Sequence, residues 1–298
     1  MTISPALEKI LATKRANPYS NEKSIQELRD EHRAGGAAIP LLEGAEWKNI
    51  NVDGVPAEWI SCGETTSGRV FLFIHGGGYY RGSAKATRST AARISGVSGM
   101  RCLSIDYRLA PEHAFPAAID DTYTSYKWLL GQGIAPEDIV IGGISAGGGL
   151  TLALLLKLKE KGEPYPAGAV PISAWTDMTQ SGETMHTNAD SDPVICKAYL
   201  DRMAKLYLAG ASAKTQLASP LFGNLAGLPP MLVQVGSAES MLDDSRRFAE
   251  KARTAGVDVE YEVWEDMFHG WHGSAHILKE AEQAIESIGR FCGKVLVS

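Results

Sequence analysis

Short strand-like runs rich in apolar residues recur along this chain, separated by longer segments with apolar residues at helical spacing. The runs fall at 70–74 (VFLFI), 102–105, 139–141, 169–172, 231–235 and 257–263. The first of them, 70–74, is continuously apolar, which suits a strand buried on both faces. The segments between predict helices at 84–98, 117–130, 146–161, 195–208, 243–255 and 274–291, with Gly162 and Gly256 just past two of the ends, where a C-terminal glycine belongs. Strands alternating with helices imply an α/β fold with a central, mostly parallel sheet flanked by helices on both faces. Residues 47–60 alternate through an Asp53-Gly54 turn signal and predict a hairpin. Two segments fit the pattern worst: about 1–45, with a break at Gly35-Gly36, and about 178–226. They are expected to form a helical cap on a single domain spanning 1–298.

Composition removes several alternatives. There are 35 acidic and 29 basic residues and no Lys/Arg run, which argues against a nucleic-acid partner. The longest apolar-looking stretch, 142–156, is broken by glycines, Ser145 and Thr151, and falls short of the ~20 residues a membrane helix needs. The first residues scatter charges and do not read as a signal peptide. Cys62, Cys102, Cys196 and Cys292 are far apart with no C-x-x-C, which suggests reduced thiols in a cytoplasmic protein and neither a disulfide frame nor a zinc site; no cofactor is expected. One number stands out: 31 glycines in 298 residues, against a usual ~7 %.

Eight of those glycines lie in two short stretches. Gly143-Ile144-Ser145-Ala146-Gly147 is a G-x-S-x-G between an apolar strand and a long helix. A serine there sits on a tight turn, strained and exposed at the carboxyl edge of the sheet, where it can act as a nucleophile. The competing reading, a phosphate loop, lacks G-K-[ST] and a well-placed G-x-G-x-x-G. The second stretch, His75-Gly76-Gly77-Gly78, follows the run at 70–74. Bare backbone N–H groups preorganised toward a developing oxyanion are worth roughly 2.7–4 kcal/mol per donor. An HGGG loop and the N–H after the nucleophile supply such donors in lipases and esterases, which assigns Gly76, Gly77 and Ala146. His75 is read as an anchor of this loop.

Together with Asp106-Tyr-Arg-Leu-Ala-Pro-Glu-His113, Phe115-Pro116-Ala117, Ser219-Pro-Leu221, Gly227-Leu-Pro-Pro-Met231 and Phe268-His269-Gly270-Trp271, these motifs resemble the hormone-sensitive-lipase-like (bacterial family IV) esterases of the α/β-hydrolase fold. The resemblance runs from about residue 45 to the C-terminus. It implies an α/β-hydrolase core, a cap from the N-terminus and from an insertion before the acid, no metal, and hydrolysis of short-acyl esters as small-molecule substrates. It also implies a homodimer, on analogy alone. The chain departs from the family at two places. Ile144 replaces the usual Asp before the nucleophile, and in Gly236-Ser-Ala-Glu239-Ser-Met-Leu-Asp243-Asp244 a glutamate stands where the acid is usually Asp.

A serine hydroxyl needs a base, and the base needs a carboxylate. In this fold the order is Ser, acid, His. His269, after the last strand, is the base; His272 and His276 are its local rivals, and His276 is expected in the final helix. Glu239 is the acid, with Asp243 its rival; Asp243 and Asp244 also suit the start of a helix, and Asp266 reads as a surface group. Asp106, Arg108 and Glu112 are expected to hold their loop by ion pairs. Trp175, Tyr79, Tyr80, Met178, Met185, Met203 and Tyr207 are candidates to line a pocket. The expected function is a carboxylic ester hydrolase working through an acyl-enzyme. An amidase or acyltransferase with the same triad, and a non-catalytic receptor of the same fold, are the alternatives.

Overall fold

The structure, a computed structural model, describes residues 3–20 and 22–296. Its strands are β1 (Ala45–Val52), β2 (Val55–Cys62), β3 (Val70–Ile74), β4 (Arg101–Ile105), β5 (Ile139–Ile144), β6 (Gly168–Ile172), β7 (Met231–Gly236) and β8 (Val259–Trp264). They form one sheet in the order β1-β2-β4-β3-β5-β6-β7-β8, parallel from β4 to β8, with β1 and β2 antiparallel at one edge. The predicted hairpin is present. Val52 pairs with Val55, and the two turn residues, Asp53 and Gly54, both have positive φ, which a tight two-residue hairpin turn needs.

The helices are α1 (Pro5–Arg15), α2 (Ile25–Ala37), α3 (Ala84–Ser98), α4 (Ala117–Gly131), α5 (Ala146–Lys161), a single turn α6 (Thr184–Thr187), α7 (Lys197–Leu208), α8 (Leu242–Thr254) and α9 (Lys279–Val295). Side chains alternate across the sheet, as strand geometry requires. Phe71, Phe73, Val140, Val170 and Leu232 point to the face covered by α3 and α9, where Leu7 and Leu11 of α1 join the same core. Val70, Leu72, Ile141, Met231 and Val233 point to the other face and pack with residues of α4, α5, α7 and α8. Phe71 is fully buried, so Phe71→Ala would cost about 3–5 kcal/mol. No helix among the described residues is long and apolar enough to cross a membrane.

Two details differ from the sequence reading. α2 does not break at Gly35-Gly36 but runs through to Ala37. Gly36 serves helix packing instead: a Cβ there would lie 2.6 Å from the carbonyl oxygen of Ala86 on α3. The last helix starts at Lys279 because residues 271–274 form a 3-10 turn, so His276 precedes the helix. The segment 178–226 divides into two parts. Residues near 194–199 turn toward the carboxyl edge of the sheet, whereas Leu221 bonds back to Thr176 and Gly223 packs on Leu156 of α5.

The order β4-β3-β5 positions the site. The connection out of β3 leads to one side of the sheet and that out of β5 to the other. Outside the carboxyl ends of two such strands, an open α/β sheet forms a crevice.

Candidate active site

Ser145 and the HGGG loop lie in that crevice, following β5 and β3. Ser145 has φ 60° and ψ −118°, a conformation rare for a residue with a side chain. The turn closes only because its neighbours are glycine. A Cβ on Gly143 would lie 2.5 Å from the carbonyl oxygen of Ile74, and one on Gly147 would overlap that same oxygen. The backbone of β3 thus presses against the serine turn. Gly76 lies against Ile144 and Ser145, where a Cβ would come 3.3 Å from the serine Cβ. The N–H groups of Gly76, Gly77 and Ala146 donate to no acceptor among the described residues.

His75 is buried beneath this loop. Its Nδ1 lies 2.8 Å from the Gly76 carbonyl, its ring stacks on Tyr107 at 4.2 Å, and the Tyr107 hydroxyl donates to the His75 carbonyl. Burial holds its pKa below the ordinary histidine value, so the neutral ring donates from Nδ1 to Gly76.

His269 follows β8, and Glu239 follows β7. Nδ1 of His269 lies 2.8 Å from Oε2 of Glu239. Since the carboxylate accepts, the imidazole proton sits on Nδ1 and Nε2 is left as an acceptor. Nε2 is buried without a hydrogen-bond partner among the described residues. Burial opposes the imidazolium, but the Glu239 hydrogen bond and charge, together with the Asp192 charge, outweigh it and raise the His269 pKa above its ordinary value. Glu239 is fully buried and saturated: its other oxygen accepts from the Ser173 hydroxyl and the Gly236 N–H, both at 2.7 Å.

The rival residues have other partners. Asp243 pairs with Arg246 and accepts from the N–H of Glu183 and Thr184. Asp244 accepts from the N–H of Thr176 and Asp177, and burial pushes its carboxyl up to about 7. His272 bonds Gln234 in the core, where burial lowers it to about 3. In the loop after β4, Arg108 pairs with Asp121, Asp106 accepts from the N–H of Ala84, and Glu112 takes a two-pronged bond from Arg29 of α2.

Ser145 and His269 line one cavity of about 410 Å³. Its other walls come from Lys14, His32 and Gly35 of the N-terminal helices, Arg81 after the HGGG loop, and Val194, Ile195 and Tyr199. None of the candidate lining residues in the sequence analysis is among them. Tyr79 is buried instead in a stack on Tyr207 at 3.8 Å and leans on Trp175. Ser173, which holds Glu239, had no sequence signal beyond its place just after a strand. The same is true of Asn188, Ser191 and Asp192, which bond the backbone of residues 237–240. No group of three or more His, Cys, Asp or Glu among the described residues could hold a metal ion.

Comparison with known proteins gives a consistent picture. A family model described as the α/β-hydrolase fold matches residues 71–273. An acetyl-hydrolase of Streptomyces hygroscopicus is 37 % identical over 288 residues, covering 97 % of this chain and 96 % of that protein. An esterase of Acinetobacter venetianus is 38 % identical over 85 % of this chain and 84 % of its own length. The crystal structure of an esterase from the bacterial hormone-sensitive lipase family superposes with a TM-score of 0.96 at 43 % identity, covering 99 % of this chain and all of that one.

Proposed function

The chain belongs to the α/β-hydrolase family, among the hormone-sensitive-lipase-like carboxylesterases, and from that membership we propose a mechanism and a substrate range. The nucleophile is Ser145, the base His269 and its carboxylate Glu239. One observation carries this reading. His269 holds Glu239 with one ring nitrogen, while the other nitrogen is buried, unpartnered and in the same cavity as a serine on a strained turn.

The reaction then runs in two halves. Nε2 of His269 takes the proton of the Ser145 hydroxyl as its oxygen bonds to the ester carbonyl carbon. Glu239 keeps the proton on Nδ1 and stabilises the imidazolium. The carbonyl oxygen, now negative, accepts from the N–H groups of Gly76, Gly77 and Ala146. The carbon–oxygen bond to the alcohol breaks as His269 returns its proton to that oxygen, leaving an acyl-enzyme on Ser145. Water, deprotonated by His269, attacks the acyl carbon, and the serine leaves with the proton. In ligand-free enzymes the serine–base hydrogen bond is often open and tightens on substrate binding.

Residues 1–45 and the part of 178–226 around 194–199 act as a cap over Ser145. Lys14 and Arg81 place charge in the wall of the cavity, which disfavours a long alkyl chain and favours short acyl groups. Ile144 takes no part in the proton transfers, and its side chain contributes wall instead.

The test is covalent. An organophosphate should add one phosphoryl group to the intact chain, at Ser145, and none to Ser145→Ala. Labelling of the alanine variant at another serine would sink the assignment. A 4-nitrophenyl ester series from acetyl to dodecanoyl should peak at short chains; a peak at long chains would overturn the substrate range. Matched amides should turn over much more slowly than esters, and equal rates would favour the amidase reading.

A further inference from the structure

The Ser145 cavity opens onto a second chamber of about 600 Å³ that lies among the N-terminal helices and residues 193–199. The two share a neck made of Lys14, His32, Gly35, Arg81, Val194 and Tyr199. The far walls of the chamber mix polar and charged residues, Thr13, Asn17, Ser20, Lys23 and Glu31, with apolar ones, Pro18, Tyr19, Leu28 and Pro193.

Two cations stand in that neck without a carboxylate in ion-pair range among the described residues. The Arg81 guanidinium lies over the rings of Tyr80 and Tyr199, at 5.3 and 5.6 Å from their centroids, and its Nε is buried with no hydrogen-bond partner. Its close partners are the neutral side chains of Tyr199 and Tyr80, and the carboxylate of Glu31 acts on it only from a distance. Lys14 sits 4.8 Å above the ring of Phe268, next to the base. Burial and the Arg81 charge hold the Lys14 pKa below its ordinary value, and Asp192, which opposes them, is committed elsewhere: one oxygen accepts from the N–H of Val194 and Ile195, the other from the N–H of Ser240. Nδ1 of His32 is also buried and unpartnered, and burial lowers this ring to about 3, so it supplies a neutral polar atom. Burying charge without a counter-ion is costly, and a guanidinium matches a carboxylate in geometry as well as sign.

We propose that the substrates of this site are esters bearing a second, anionic group, a carboxylate held by Arg81 and Lys14 in the neck while the ester carbonyl lies at Ser145. This rests on the reading of Ser145 given above. The chemistry of the neck fixes the anion but leaves open whether it sits on the acyl or the alcohol side.

The test measures kcat/KM for two matched pairs. Ethyl hexanoate against monoethyl adipate puts the carboxylate on the acyl side, and butyl acetate against 4-acetoxybutanoate puts it on the alcohol side. In each pair a terminal methyl becomes a carboxylate. On at least one pair, Arg81→Met should lower the anionic-to-neutral ratio by about tenfold or more, mainly through KM, and Arg81→Lys should lower it less. Lys14→Met, on a different element, should move the same ratio in the same direction. A change below about twofold in both variants on both pairs would overturn the proposal while leaving the esterase reading intact. Failure of the wild-type chain to hydrolyse any of the four esters would overturn both.

Discussion

Glu239 and Arg81 belong to the same active site and are satisfied in opposite ways. Glu239 is fully buried and accepts three hydrogen bonds, from His269, Ser173 and Gly236. Arg81, in the wall of the same cavity, lies over the rings of Tyr80 and Tyr199 with its Nε unpartnered. The contrast extends to their surroundings. On the sheet side, the Ser145 turn is locked by backbone contacts that only glycine permits. On the opposite side, the wall is built by Lys14 of α1, His32 of α2, Arg81 from the loop after β3, and Val194, Ile195 and Tyr199 around the start of α7. One wall is fixed to a geometry before any ligand arrives, which a reaction requires. The other is left with unmet polar groups, which suits selection among ligands.

Substitutions on the two walls should therefore differ in kind, and a series can break that distinction. The largest effect belongs to Glu239→Gln, which keeps the volume but removes the charge that orients His269. It should lower kcat by roughly 10²–10⁴-fold with KM little changed. Asp243→Asn should leave kcat within about threefold and instead cost some stability, because Asp243 holds Arg246 and the 183–184 backbone. If the two variants exchanged these outcomes, the acid would be Asp243.

Next in size is Gly147→Ala. Its Cβ would meet the Ile74 carbonyl, which neither β3 nor the serine turn can readily yield. Thermal or denaturant unfolding should show a loss of about 2–4 kcal/mol, with activity falling together with stability. An unchanged midpoint would mean that the turn is looser than its contacts indicate.

Ser173→Ala removes one of the three donors to Glu239. It should reduce kcat by about tenfold and shift the acid limb of the pH profile. That limb is itself a prediction. Only neutral His269 can take the serine proton, and Glu239 and Asp192 hold its pKa above the ordinary value. In wild type, kcat/KM should thus be lost as pH falls through a value above 6.5. In Glu239→Gln the midpoint should move down, because the opposing effect of burial remains; no movement would show that Glu239 does not govern the ring.

The smallest effect should come from the helical wall. Arg29 donates to Tyr80 and Ala110 carbonyls and to Glu112, joining α2 to the loops after β3 and β4. Glu112 is largely exposed, so the carboxylate pair contributes little by itself and the two carbonyl bonds matter more. Arg29→Met should cost about 1–2 kcal/mol and raise KM more than it lowers kcat. A large fall in kcat with KM unchanged would erase the distinction between the walls.

The sheet was legible because its inner strands are short and mostly apolar, with few polar residues such as Ser104 and Gln234, a pattern that leaves few alternatives. The serine turn was legible because only a glycine-rich sequence can close it. His269 and Glu239 could be placed by their order along the chain and by family motifs, and the structure sets them in contact. What escaped the sequence is what depends on distant partners. Gly35-Gly36 reads as a helix break until α3 is brought against it. Ser173 looks like any serine after a strand until Glu239 folds over it. Arg81 and Lys14 carry no local sign that their charges go unmatched, since that is a property of what surrounds them.

Lys14 resting on Phe268 joins the first helix of the chain to the residue beside the base. The cavity is therefore closed by contacts between parts of the sequence that are synthesised early and late. Contacts this remote are slow to form, because the intervening chain must first be brought together. The nucleophile turn can be in place while this enclosure is still open. During refolding, labelling of Ser145 by a small reagent should accordingly recover before turnover of a substrate that must fill the neck. The interval between the two signals would time the last step of assembly.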